Sequence, residues 1–424
     1  MSTAAFDAVV VGAGPAGSIA ALVLARGGAR VALVDKATFA RDKACGDLIG
    51  PRALALMTSL GLTPPPGREV GEMVVVGPTG RRVVLPACAG RTYPDHGIAL
   101  SRMRFDTWLR DQAISAGAEP VTGRVASARD GVVELDDGRR LVADVVVGAD
   151  GATSRVAIDA GLVDTAAVLW GFAQRGYVQQ AVDRPAIVLW DDAQRKGFPG
   201  YGWVFPGEDG TANIGLGLGL RADRSSASRA VTQFDSFCDH LRTIELLSAP
   251  VQGRRLGGWL KMGMVGTVAA RDRTFLVGDA AGLVNPLQGE GIAPAMTSAA
   301  FAAEAILAGP STAAVHYRQF LRAGPGRFAA AASPLHHAAI NGSPSRVAML
   351  GRLLTLPVLR TVIAPTWARS WNDLVDGAPP GPTTVMSRLA LATARLATRS
   401  SSISRRVRHD LADSAAAGNF PSSV

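Results

Sequence analysis

Cysteine is scarce in this chain of 424 residues, and lysine is scarcer still relative to a formal net charge of +9. The three cysteines, Cys45, Cys88 and Cys238, are odd in number and lack metal-ligand spacing, which excludes a disulfide framework and a zinc site and fits a reducing cytoplasm. The only lysines are Lys36, Lys43, Lys196 and Lys261, so arginine carries the positive charge. These arginines are scattered and not interleaved with aromatics, which argues against a nucleic-acid partner and leaves anionic lipid or an acidic redox partner. No apolar run reaches the roughly 20 residues of a spanning helix. The first residues run directly into a strand pattern with no basic leader, so no signal peptide is expected, and contact with a membrane would be peripheral. None of the six histidines falls in a motif, and His336 and His337 are expected on a helix surface or cap.

What the chain does have is glycine at strand ends. Phe6 to Val11 reads as a buried strand, Pro15 to Arg26 as a helix and Arg30 to Asp35 as a second strand. The turn between the first two holds Gly12, Gly14 and Gly17. The first glycine permits a tight turn, the second lets a pyrophosphate approach, and the third lets the helix pack on the strand. Asp35, at the end of the second strand, is placed to bind ribose hydroxyls. A third strand, Asp144 to Val147, runs into GADG at Gly148 to Gly151, where Asp150 could equally cap a turn.

The segment Gly278 to Ile292, GDAAGLVNPLQGEGI, turns this nucleotide fingerprint into a flavin assignment. It follows a short strand, Arg273 to Val277, and precedes a helical run, Ala293 to Leu307. The Asp279 carboxylate can accept hydrogen bonds from sugar-like hydroxyls. The helix N-terminus at Gly291 and Ile292 presents unpaired N–H groups suited to the charge of a reduced flavin. The glycine-rich ends near residues 12, 150 and 279 would share the carboxyl edge of one parallel sheet. Five further segments have β character: Glu72 to Val76, Arg82 to Leu85, Ala186 to Trp190, Gly202 to Phe205 and Ala212 to Leu220.

The expected fold is therefore α/β: a Rossmann-like FAD-binding domain with a parallel sheet and GxGxxG, an inserted and mostly antiparallel β-sheet substrate domain, and a C-terminal helical region. The divisions fall at 1–70, 100–158 and 265–325 for the discontinuous FAD-binding domain, 71–99 and 159–264 for the substrate sheet, and 326–424 for the helical region. From Thr312 onward, Pro334, Pro344, Pro357 and Pro365 predict short helices broken by turns, and Gly377 to Pro382 reads as a linker.

Several motifs in order resemble the geranylgeranyl reductase family of FAD-dependent oxidoreductases, within the para-hydroxybenzoate hydroxylase fold group. They are GAGPAG at Gly12 to Gly17, RDKACGD at Arg41 to Asp47, SRMRFDTWL at Ser101 to Leu109, GADGATSR at Gly148 to Arg155, GYGWVFP at Gly200 to Pro206, and GDAAGLVNPLQGEGI. The likeness is greatest to actinobacterial members acting on the menaquinone tail. It implies a reductase that hydrogenates isoprenoid carbon–carbon double bonds by hydride transfer from reduced flavin, on a menaquinone tail or a geranylgeranyl lipid.

By that resemblance Gly12, Gly14, Ala16, Gly17, Asp35 and Lys36 would bind the ADP half of FAD. Cys45, Gly46 and Arg102 would lie along the cofactor, and Asp279, Gly289, Gly291 and Ile292 would meet its ribityl and ring parts. Tyr201 and Trp203 would line the cavity of a hydrophobic isoprenoid substrate, pointing to one face of a strand because they are two apart. Cys45 is a candidate catalytic thiol, with an inert filler as its alternative. There is no second GxGxxG in a βαβ setting, so the electron donor, NADPH, NADH or ferredoxin, would bind transiently. Metal is not expected.

A flavin-dependent monooxygenase of a hydrophobic or aromatic substrate is the alternative function. A halogenase of the known class would need a tunnel lysine and a Trp-x-Trp pattern, whereas no lysine occurs from Ala44 to Arg195 and Tyr201 stands at the first position. At the C-terminal end Leu389, Leu396, Ile403, Val407 and Leu411 share a helical face flanked by Arg388, Arg395, Arg399 and Arg406. That is the pattern of an interfacial helix, or of one packed on the protein body. The expected location is cytoplasmic, peripheral on the inner face of the cell membrane.

Overall fold

Runs such as FDAVVV and VADVVVG are rich in β-branched residues without interruption, as strands buried on both faces require. In the computed structural model, which describes residues 3–189, 200–220, 227–341, 349, 352–353, 356 and 360–399, both become central strands. Thr3–Val11 and Arg140–Gly148 pair in parallel, with Val11 opposite Gly148. Val31–Asp35 and Glu119–Thr122 extend this parallel sheet on one side, and Thr274–Leu276 on the other. A short antiparallel strand, Ala270–Arg271, and two more, Val125–Arg129 and Val132–Leu135, complete eight strands. The helices Arg102–Ser115 and Ile292–Ala308 both pack on Pro15–Arg26 beside this sheet.

A second sheet has seven strands, ordered Val251–Met262, Leu169–Val178, Ala212–Leu220, Gly200–Pro206, Ala186–Val188, Met73–Val76 and Arg82–Leu85. All its pairs are antiparallel except Ala186–Val188 with Met73–Val76. The two longest strands, Leu169–Val178 and Val251–Met262, have no counterpart in the sequence reading. Their glycines and arginines interrupt the expected alternation, and one of those arginines, Arg175, is 1% exposed. It is sustained there by Asp42 at 2.5 Å and by the ring of Tyr177, whose centroid lies 4.3 Å from its guanidinium. Gly97–Ala99 joins neither large sheet; it pairs with Leu48–Ile49 and Arg68–Val70 in a small third one.

The two faces of the seven-stranded sheet have different fates. On one, Phe234, Phe237, Cys238 and Leu241 of the helix Ala227–Thr243 pack against Val204, Leu216 and Leu218. On the other, Trp203 and Phe205 join Ile187 and the residues Ala364 and Ala368 of the helix Arg360–Trp371.

The described parts of the C-terminal region are helical, and two of the prolines, Pro334 and Pro365, do not break it as expected. Pro334 lies inside Pro325–Asn341 and Pro365 inside Arg360–Trp371. Pro334 follows Ser333, which is fully buried and donates to the carbonyl of Gly263, so tertiary packing holds the turn that the ring disfavours. Pro344 and Pro357 lie outside the described residues. The expected linker at Gly377 is a packed turn: the Arg91 N–H donates to the Gly377 carbonyl at 2.6 Å, and Ala378 is buried. The helix Pro382–Arg399 buries Thr384 and Ser387, while Val385 and Leu389 are 53% and 60% exposed. The expected apolar face at Leu389 therefore does not pack on the body; residues beyond 399 lie outside the description. No helix among the described residues is long and apolar enough to cross a membrane.

Candidate functional site

The three glycine-rich strand ends do meet at one edge. Ala149 N–H donates to Val11 O at 2.8 Å and Val277 N–H to Gly148 O at 3.0 Å, so residues 12, 150 and 278 are neighbours across the sheet. Gly12 has φ +101°, and a Cβ there would stand 2.4 Å from Ala149 O. A Cβ on Gly17 would stand 1.7 Å from Gly12 O, which no side chain tolerates. Gly14 is the N-cap of Pro15–Arg26, with no side chain bonded to its first turn, so free N–H groups point at the edge. Ala16 is buried here and Lys36 exposed. The Asp35 carboxylate accepts from Ala13 N–H at 2.7 Å and Ala37 N–H at 2.8 Å, which aims it beside the fingerprint turn and leaves lone pairs for further donors.

Asp150 acts as a cap. It accepts from Ser154 Oγ at 2.5 Å, Arg155 N–H at 2.6 Å and Val156 N–H at 3.2 Å. Asp279 sits at the start of the 3-10 turn Gly278–Ala281, with Lys43 Nζ 3.3 Å from its Oδ2. Lys43 was not singled out in the sequence; its neighbourhood to Asp279 spans 236 residues, and no local pattern announces it. Lys261 was also missed. It is 1% exposed, and burial lowers its pKa to about 8 against the opposing pull of Asp150 and Asp279.

The helix Ile292–Ala308 starts at the expected place, with Gly291 as N-cap. Its end is less open than the sequence implied, because Glu290 Oε1 accepts the Ala293 N–H at 2.7 Å. Gly289 has φ +71° and lies beneath Tyr201: a Cβ there would be 3.6 Å from the phenol oxygen. Tyr201 Oη donates to the carbonyl of Gln288, tying the aromatic strand to this loop.

A buried polar network holds the Cys45 loop. Asp47, with φ 60° and 3% exposure, accepts from Tyr177 Oη at 2.5 Å and Asn213 Nδ2 at 2.9 Å. Asn213 Nδ2 also donates to Cys45 O at 2.8 Å, and Trp203 Nε1 donates to Asn213 Oδ1 at 2.9 Å. Arg102 is buried beside the thiol, its guanidinium forked onto Asp106 at 2.6 and 2.8 Å. Burial pushes the Cys45 thiol above its usual pKa, with Arg102 opposing, so the group is held as a thiol and not as a nucleophilic thiolate.

These elements surround a cavity of about 790 Å³. Cys45, Gly46, Asp279 and Gly289 to Ile292 line it together with Tyr201, Trp203 and Phe205, the Phe205 ring standing 2.8 Å from where a Cβ on Gly46 would fall. The three aromatics alternate along one strand as expected, Trp203 stacking on Phe205 with centroids 6.1 Å apart. Gly215 on the adjacent strand makes room for this ring, since a Cβ there would meet Trp203 Cζ2 at 2.0 Å.

The remaining wall comes from the C-terminal helices, where the sequence offered no motif. Trp371 meets Tyr201 edge-on at 6.0 Å, and Trp367 meets Trp371 at 6.3 Å. Phe328 and His336 also line the cavity, so His336 faces inward and is no surface residue, because the strand glycine Gly219 opens space beside its ring. The His337 side chain lies outside the description. Donors from the rest of the molecule pin this wall by its carbonyls: Arg52 Nε to Asp373 O at 2.7 Å, Arg52 Nη2 to Asp376 O at 2.8 Å and Asn285 Nδ2 to Trp371 O at 3.2 Å.

An uncapped helix N-terminus at a glycine fingerprint, an acid on the next strand and a GDAAG turn on the same edge define a flavoprotein of the FAD-binding type, and the N–H groups left uncapped after Gly14 fit the pyrophosphate of the cofactor. Residues 5–70 and 99–314 match the FAD binding domain family. The chain is 35% identical over 320 residues to the menaquinone reductase of Mycolicibacterium smegmatis, spanning 72% of this chain and 77% of that one. It is 33% identical over 323 residues to digeranylgeranylglycerophospholipid reductase 1 of Methanopyrus kandleri, spanning 70% and 80%. A solved geranylgeranyl bacteriochlorophyll reductase-like protein from Thermoplasma acidophilum shares the fold, with a TM-score of 0.70 at 22% identity over 88% of this chain and 98% of that one. This chain belongs to the geranylgeranyl reductase family of FAD-dependent oxidoreductases.

Proposed function

We propose that the protein hydrogenates carbon–carbon double bonds of an isoprenoid chain, the tail of a menaquinone or a geranylgeranyl lipid. The observation that carries this reading is the cavity: about 790 Å³, walled by Tyr201, Trp203, Phe205, Trp367 and Trp371, and continuous with the loop Gly289 to Ile292. An unactivated alkene has no polar handle, so only shape and apolar contact can hold it in place. Names of the relatives, a menaquinone reductase and a digeranylgeranylglycerophospholipid reductase, support the same chemistry.

In this reading Gly12, Gly14, Ala16, Gly17, Asp35 and Lys36 hold the ADP half of FAD. Asp279, Gly289, Gly291 and Ile292 hold its ribityl and ring parts, with Cys45, Gly46 and Arg102 alongside. When bound, FAD supplies hydride chemistry after reduction by a nicotinamide or ferredoxin donor. The chain's own part is to orient the alkene with Tyr201 and Trp203, to exclude water with the tryptophan wall, and to furnish a proton. Cys45, kept as a thiol by burial, serves as a packing group at the cofactor's edge. The exposed Val385 and Leu389, next to Arg388, support peripheral contact with an anionic membrane, from which a lipid-tailed substrate enters.

The test is spectroscopic. Reduced, oxygen-free protein is mixed with menaquinol, with a geranylgeranyl lipid, or with a saturated-tail analogue of each. Flavin reoxidation by the unsaturated compounds alone is expected; reoxidation that needs oxygen would favour the monooxygenase reading.

A further inference from the structure

Reduction of an alkene needs a proton for the second carbon, and the cavity contains a group built to give one. Glu290 is half-buried, and its open side faces the cavity. Its Oε1 accepts the Ala293 N–H at 2.7 Å, which fixes the carboxyl's orientation and leaves Oε2 to carry a proton. Among the described residues no ion pair holds it. Asp373, from the C-terminal wall, lines the same space. The guanidinium of Arg52 lies there too, but its Nε and Nη2 are engaged with the Asp373 and Asp376 carbonyls. From the strand side the neighbouring titratable group is Tyr201, whose hydroxyl donates to Gln288 O. Lys43 and Asp279 line the cavity beside Gly291, already paired with each other.

We infer that Glu290 is the proton donor of this cavity, delivering its carboxyl proton to one alkene carbon as hydride reaches the other. The inference rests on the reductase reading above. The balance is simple: the Glu290 O–H bond breaks, a C–H bond forms, and the π pair of the alkene is consumed. Hydride from reduced FAD supplies the other C–H bond, and Glu290 is left as a carboxylate to be reprotonated from solvent.

Three other candidates for the proton are weaker acids or lie elsewhere. Burial raises the Cys45 thiol, and burial with the charges of Cys45 and Glu290 raises the Tyr201 phenol further. Asp47 is closed in by Tyr177, Asn213 and Arg102. Burial first, and then the neighbouring Asp373, push the Glu290 carboxyl up to about 7, against the Ala293 and Ile292 N–H groups and Arg52. Burial likewise pushes Asp373 up to about 7. A carboxylic acid balanced near neutrality is matched to proton donation at physiological pH.

Two readouts test this on the FAD-loaded protein. Infrared pH titration, with no turnover, should show a carboxyl C=O band titrating near neutrality that is absent in Glu290→Gln. In Asp373→Asn the same band should titrate at lower pH, because a charge that raises Glu290 has been removed. In single turnover, Glu290→Gln should bind FAD and accept electrons normally but lose about 100-fold or more in alkene-dependent flavin reoxidation. A Glu290→Gln enzyme reoxidised at near wild-type rate, or no titrating band lost from it, overturns the proposal. If wild type is inert toward every isoprenoid, the reductase reading fails on its own; the infrared band then decides whether Glu290 stands as the neutral-pH acid of the cavity.

Discussion

The sheet edge is built of backbone and the cavity wall of side chains. At the edge stand N–H groups and glycine Cα atoms of residues 12 to 17 and 278 to 282, fixed by a parallel register that puts Val11 opposite Gly148 and Gly148 opposite Leu276. At the wall stand three indoles and a phenol: Trp203, Trp367, Trp371 and Tyr201. The difference bears on evolution of function. A backbone cradle accepts one cofactor and little variation, whereas a side-chain wall can be recut for a new substrate while the cofactor stays.

Breaking the backbone side should have the largest effect. Gly17→Ala places a methyl 1.7 Å from Gly12 O, so purified protein should carry no bound flavin, read from its absorbance relative to protein. Breaking the side-chain side should separate the two functions. Trp371→Ala should keep FAD bound while raising KM for the isoprenoid about tenfold, with about 3 kcal/mol lost from folding stability in denaturant titration. A Trp371→Ala enzyme that loses flavin instead would show that the wall and the cradle are one unit.

The two smaller predictions concern the wall's surroundings. Leu389→Asp should weaken binding to anionic vesicles about fivefold without altering turnover of a detergent-dispersed substrate, as sedimentation would show. Stability should also depend on pH through Glu290. Its carboxyl titrates at about 7 in the folded protein, above the unfolded value of about 4.3. Its contribution is therefore complete below the unfolded value and is lost as pH rises through about 7. Wild type should lose about 1 kcal/mol relative to Glu290→Gln between pH 5 and pH 8, allowing for cavity water.

The contrast between the two sides also explains what could be read from the chain. Gly12, Gly14, Gly17 and Asp35 lie within one βαβ unit, so their spacing carries their geometry. Tyr201 and Trp203 share a face because strands alternate. Trp367, Trp371 and Asp373 reach the cavity only through helix packing and through Arg52, more than three hundred residues away. No local period encodes that. Two long strands were missed for a related reason: Arg175 reads as solvent-facing, and only Asp42 and Tyr177, distant in sequence, make its burial tolerable. Glu290 lay within the best-read motif and was passed over there, since its role depends on the C-terminal wall opposite it.

The central claim is that the cavity hydrogenates an isoprenoid alkene, and the mass of a single-turnover product tests it most directly. Reduced protein, mixed without oxygen with menaquinol or a geranylgeranyl lipid, should yield a product heavier by two hydrogens for each bond reduced. A product that gains oxygen when air is admitted, or an unchanged lipid beside flavin that stays reduced, would contradict it.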